Sequence, residues 1–175
     1  MGLGRFCSVM VLAGAALGAS VSSGFSAKDS AVTTSGLPVP RYVSLKSDHV
    51  NVRAGPTKDN DVAWVYTRSG LPVEITAEFE NWRRVRDSEG AEGWVYHSLL
   101  SGRRTAVISM KNKDDLAPIY DRADQTSAVS ARLQAGVVAQ VKKCAAGWCH
   151  VLGNGFDGWI QQQRLWGVYA DERVD

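Results

Sequence analysis

The sequence predicts an all-β chain: two small antiparallel β-barrels in tandem, preceded by an export signal. Three observations carry that prediction. Short apolar runs alternate with polar residues and are broken by Gly, Pro, Asn and Asp, the pattern of half-buried strands joined by tight turns. No stretch of useful length repeats at the helical period. A pattern also recurs, and recurrence at a fixed interval marks repeated structural units. Gly70, Trp82 and the triplet Gly93, Trp94, Val95 are answered by Gly136, Trp148 and Gly158, Trp159, Ile160. Twelve positions separate Gly70 from Trp82 and Gly136 from Trp148, whereas Trp82 to Trp94 is twelve and Trp148 to Trp159 eleven, so one residue is deleted in a turn.

Residues 1–27 read as a signal peptide, with Arg5 as the positive start, an apolar run from Phe6 to Ala19 and a small-residue stretch to Ala27. The apolar run is shorter than the ~20 residues that cross a bilayer; a retained anchor is the alternative, and Ala19 and Ala27 both fit a cleavage site. Residues 28–40, poor in large apolar side chains, are expected to be a flexible leader. Strands are then predicted at Tyr42 to Leu45, His49 to Arg53, Val62 to Tyr66 and Val73 to Thr76, with the 54–60 segment AGPTKDN as a turn. The 104–108 segment is expected to close a first module spanning 41–109. A second module follows over 110–168, and 169–175 form a tail. Modules of about sixty residues have only marginally sufficient cores, so the two are expected to pack together.

The 81–99 stretch, NWRRVRDSEGAEGWVYHSL, reads as strand, turn and strand. Neighbouring side chains on a strand point to opposite faces. With Val85 and Val95 inside, Trp82 faces outward with Arg84 and Arg86. An outward tryptophan is either covered by a loop or left as a docking surface. Once a signal is removed, Cys144 and Cys149 are the two remaining cysteines, bracketing a short hairpin where facing positions meet disulfide geometry. A redox pair is the alternative, without the C-x-x-C spacing. A metal site would need more ligands than His150 adds.

The segments LPVPRYVSL (37–45), VNVRAGP (50–56), NWRRV (81–85) and GWVYHSLL (93–100) together resemble the bacterial SH3-like (SH3b) family of exported tandem modules. The second copy departs from it, carrying IYDRA (119–123) in place of N-V-R-x-G-P. The resemblance implies two SH3-like barrels and a non-catalytic role in the envelope, periplasmic in a Gram-negative cell. It implies no cofactor, and as partner either peptidoglycan stem peptides or an envelope protein such as a cell-wall enzyme. Grooves lined by aromatic residues serve peptide recognition. Carried over by position, the groove of the first module comprises Trp82, Tyr96 and Arg53, and the matching residues of the second are Tyr120, Trp148 and Gln161. Trp82 and Trp148 have packing as their alternative role; Trp94 and Trp159 are assigned to packing.

Twenty Lys and Arg against eighteen Asp and Glu give +2, and loss of Arg5 leaves +1. Arg83, Arg84, Arg86, Arg103 and Arg104 form a basic run suited to carboxylates or acidic lipid head groups, or simply to a solvated face. Nucleic acid is not expected, since no helix gathers basic residues. No catalytic motif is present: His49, His97 and His150 are scattered, and neither G-x-S-x-G nor H-E-x-x-H occurs. An enzyme is therefore not expected.

Overall fold

A computed structural model describes residues 1–2, 34–112 and 114–175. Nearly all of the expected signal peptide and the first part of the leader lie outside the described residues. The chain forms two seven-stranded antiparallel sheets. The first contains β1 (Arg41–Leu45), β2 (Val50–Arg53), β3 (Val62–Tyr66), β4 (Pro72–Phe79), β5 (Trp82–Arg86), β6 (Glu92–Tyr96) and β7 (Leu100–Ser101), in the order β3-β2-β6-β5-β4-β1-β7. The second contains β8 (Thr105–Ile108), β9 (Leu116–Tyr120), β10 (Val129–Gln134), β11 (Val138–Ala145), β12 (Trp148–Gly153), β13 (Phe156–Gln161) and β14 (Leu165–Trp166). Its order, β10-β9-β13-β12-β11-β8-β14, repeats the first strand for strand. Two single 3-10 turns, His97–Leu99 and Gln162–Arg164, lead into β7 and β14.

That equivalence corrects one boundary. The strand at 105–108, expected to close the first module, is β8, and it pairs with β11 and β14 as the counterpart of β1. All four of its residues are buried, so an apolar tetrapeptide between two repeats carries no periodicity that would say which core it joins. The second module therefore begins near Thr105, not at 110.

Each module has its own core. Leu45, Val50, Val52, Val73, Ile75, Val85 and Val95 fill the first. Ile108, Ile119, Val141, Val151 and Ile160 lead the second, where Cys144 and Cys149 are bonded at 2.03 Å and fully enclosed. The pair faces across the β11–β12 hairpin, whose turn is Ala146 and Gly147. In the chain-entropy account a loop this short stabilises by about 2 kcal/mol. The deleted residue lies between β12 and β13, which a two-residue turn joins, against five residues between β5 and β6. A register shift interrupts β4 between Ile75 and Ala77, and another interrupts β11 between Val141 and Lys143. Such bulges bend a strand sharply and let a small sheet coil into a barrel.

Closure depends on glycine. The pair Arg53 and Trp94 joins β2 to β6, and Tyr120 and Trp159 join β9 to β13. A Cβ on Gly93 would collide with Val52 and stand 3.0 Å from the Trp64 ring; one on Gly158 would lie 2.7 Å from both Ile119 Cγ2 and the Tyr120 carbonyl. Only a residue without a side chain permits that approach.

The modules meet along a polar and aromatic seam. Buried Glu74 accepts from Arg86 (Nε 3.0 Å, Nη2 2.5 Å) and from the Tyr169 hydroxyl of the tail at 2.9 Å. The Tyr42 ring lies 4.6 Å from Tyr169 and 5.2 Å from Trp166. Burial, then the Glu74 charge, pushes Tyr42 up to about 12, and burial with the Glu74 hydrogen bond raises Tyr169 as well. The tail is held too: Val174 bridges Cys144, and Glu172 accepts from Arg104 at 2.6 and 3.1 Å. Residues 34–40 lead into β1, with Ser35 donating twice to the buried carboxylate of Glu78.

Two outcomes follow. Gly93→Ala should lower unfolding stability by roughly 1–3 kcal/mol in a denaturant titration, as overpacking does; an unchanged midpoint would show that the crossing can relax. Burial raises the Glu172 pKa, but hydrogen bonds from Arg104 and the Tyr169 N–H outweigh it and hold the carboxyl below its ordinary range. Its contribution is thus present above the unfolded pKa and lost as pH falls through the folded one. The stability difference between the protein and Glu172→Gln should shrink as the pH falls through and below the ordinary carboxylate range; a constant difference would dismiss this clamp.

Candidate functional site

The crossing of β2 over β6 builds the site. It sets Arg53 opposite Trp94, two residues from Tyr96 at the end of β6, and Tyr96 in turn pairs with Trp82 at the start of β5. Trp82 and Tyr96 are each an odd number of positions from the inward Val85 and Val95, so both lie on the outer face. Their rings meet edge to face, centroids 5.4 Å apart. With Asn51, Lys58, Ser98 and Leu99, these three residues line a cleft of about 300 Å³. The structure thus brings all three predicted residues of the first module together.

The loop between β2 and β3 shapes one wall. Arg53 Nη1 donates to the Asn60 carbonyl at 2.6 Å, and Asn60 Nδ2 donates to Thr57 Oγ1 at 2.7 Å. Gly55 makes room for this: a Cβ there would lie 2.5 to 2.7 Å from the Asn60 amide group. The loop is therefore closed on itself, and Lys58 stands exposed at its tip. Among the described residues, no carboxylate lines the cleft, whereas two cations do.

Trp82 resolves the choice between covered ring and docking surface. At 8% exposure it is packed, with one part forming the floor of the cleft, while half-buried Tyr96 forms a wall. Trp94 and Trp159, assigned to packing, are half-buried outside the two cores, Trp159 stacked on His150 at 5.1 Å. His150 Nε2 is 2.5 Å from Asp157 Oδ1. Sequence reasoning missed Asn51, Lys58, Ser98 and Leu99. The alternation of Asn51 with Arg53 was a signal for the first, and the turn-forming TKDN segment for Lys58; Ser98 and Leu99 follow a strand end and carried none.

The second module keeps the geometry and changes the chemistry. Tyr120 occupies the place of Arg53, opposite Trp159, and its ring meets Trp148 edge to face at 5.6 Å. Trp148 pairs with Gln161, which stands where Tyr96 does. Gln161 Oε1 accepts from Arg164 Nε at 3.2 Å and lines a separate depression beside the tail, with Gly147, Val168 and Asp171. A ring thus stands where the first groove has Arg53, and an amide where it has the Tyr96 ring.

The basic run is largely neutralised within the fold. Arg83 pairs with Glu78 at 3.1 Å, Arg84 with Glu92 at 2.6 Å, Arg86 with Glu74 and Arg104 with Glu172. The Glu74 hydrogen bond and charge raise the Arg86 pKa further. Among the described residues, Arg103 alone of the five has no carboxylate partner. Nor does any group of three His, Cys, Asp or Glu among them stand ready to hold a metal ion.

The sequence model for the bacterial SH3 domain matches residues 46–102 and 113–167, most of both modules. The chain belongs to the bacterial SH3 domain family. Both matches begin after the first strand of their sheets. Similar solved structures include NlpC2 from Trichomonas vaginalis, 16% identical over 78% of this chain and 51% of its own length, TM-score 0.32. NlpC1 from the same organism is 16% identical over 77% and 48%, TM-score 0.30. The chain spans about half the length of these structures. No curated protein matches it.

Within this bacterial SH3 fold, burial separates the two groove aromatics. Trp82→Ala should cost roughly 3 kcal/mol or more of unfolding stability, as a buried indole does. Half-exposed Tyr96→Ala should cost clearly less in the same urea titration; equal losses would make Tyr96 a packing residue as well.

Proposed function

We propose that the protein is a non-catalytic binding module of the bacterial cell envelope that takes peptidoglycan stem peptides in the first-module groove. The observation that carries this reading is the convergence of Arg53 and Lys58 on the Trp82–Tyr96 pair, with no acidic residue in the lining among the described residues. A stem peptide offers short side chains and free carboxylates. The aromatic floor and wall cover the former, and a guanidinium already oriented by the Asn60 carbonyl meets the latter with charge-assisted hydrogen bonds. Family membership and the enclosed disulfide support placement outside the cytoplasm, where disulfides persist. The second module, with Tyr120 and Gln161 at the matching positions, serves as a partner barrel rather than an equal site.

Co-sedimentation with purified peptidoglycan tests this directly. The protein should pellet with sacculi, and Tyr96→Ala and Lys58→Ala should each weaken binding about tenfold, the loss of roughly 1.4 kcal/mol, while remaining folded. Absence of binding by the unmodified protein would overturn the reading. Specific recovery of a folded envelope protein in its place would make the chain an adaptor.

A further inference from the structure

A second cleft lies at the seam, on neither groove. It is an open depression of about 290 Å³ between the loop that joins β3 to β4 and strands of the second module. Arg68 and Ser69 come from the first module, Arg103 from the connection, and Thr105 and Gln140 from β8 and β11. Arg68 Nη1 donates to the Gly136 carbonyl at 3.1 Å, which draws its guanidinium across the seam. Gly70, at φ +75°, leaves room for Arg103 to lie against the same loop, with Nη2 3.3 Å from where a Cβ would sit. Among the described residues, neither arginine has an ion pair and no carboxylate lines the cleft. Thr105 is 4% exposed, and its hydroxyl is without a hydrogen-bond partner among the described residues.

The geometry points to a phosphate-binding site between the modules, formed by Arg68 and Arg103 with Ser69 and Gln140 as further donors. The lining is rich in donors and holds two cations with no internal counter-charge. A carboxylate offers two oxygens and one charge. A phosphate group offers three or more acceptor oxygens and up to about two charges near neutral pH, and so satisfies more of this set. Planar guanidinium forks suit phosphate oxygens in particular. Because Arg68 spans the seam and Arg103 lies on the connection, a bound phosphate also ties one module to the other.

Inorganic phosphate titrated into the purified protein by calorimetry or NMR at neutral pH is the test, with chloride and acetate at matched ionic strength beside it. Saturable binding at about millimolar concentration, with acetate at least tenfold weaker, is the expected result. Arg68→Ala and Arg103→Ala should each weaken phosphate binding about tenfold or more, and Arg103→Lys should restore part of it. Arg132→Ala, which removes the same charge from exposed β10, should leave it unchanged. No saturable phosphate binding by the unmodified protein, acetate binding as tightly, or an equal loss in Arg132→Ala would each overturn the proposal. The outcome is independent of peptidoglycan sedimentation, since the two clefts share no residue.

Discussion

The architecture depends on the passage of one strand over another at a glycine. Small sheets leave two edges with unpaired backbone groups, and coiling brings distant strands together. Here β2 reaches β6 at Gly93, and β9 reaches β13 at Gly158, at separations that leave no space for a Cβ. Closure does more than complete the cores. It carries the last residue of β2 onto the outer face beside Trp94, which is why Arg53 can share a cleft with Trp82 and Tyr96 despite a separation of about thirty to forty positions along the chain.

Two barrels built on one plan have acquired different surfaces. Most core positions in the repeats are occupied by equivalent apolar residues, the bonded Cys144 and Cys149 standing where Glu78 and Arg83 pair, and the strand order is identical. The outer face diverges at the positions that close the barrel: Arg53 against Tyr120, Tyr96 against Gln161, Arg84 against His150. Core positions tolerate only apolar side chains of suitable volume, whereas outward positions answer to solvent and ligand. The seam adds a third environment. Glu74 sits on the face of β4 opposite Val73 and Ile75, so a strand that is buried on both sides holds a carboxylate, and Arg86 and Tyr169 supply its partners. The tail supplies one of them, so residues past the last strand contribute to the joint between modules.

The groove residues came from the family resemblance, while strand parity, a strict rule, told which face they occupy. Placing Val85 inside was enough to put Trp82 on the opposite face, and the repeat placed Tyr96 and Gln161 at matching ends of β6 and β13. The extent of burial was not legible. Whether an outward ring is covered depends on what neighbouring loops do, and the loop that shares the cleft with Trp82 carries Lys58, 24 residues earlier in the chain. The partners of the arginine run were hidden for a related reason. Its apparent surplus of charge disappears once Glu74, Glu78, Glu92 and Glu172 are brought up to it, two of them from the facing strand β4. Among the described residues, only Arg103 of the run, on the connection between modules, lacks such a partner.

By itself, the sequence determined the all-β class, the twofold repeat, the positions of the main hairpins and the cysteine pairing, because these rest on alternation, turn chemistry and short spacing, all local along the chain. Tertiary structure decided the membership of β8, the burial of Trp82, the partners of the arginines and the cleft at the seam. Each of these is settled by residues distant in sequence that meet only after the sheets coil and the two modules pack together.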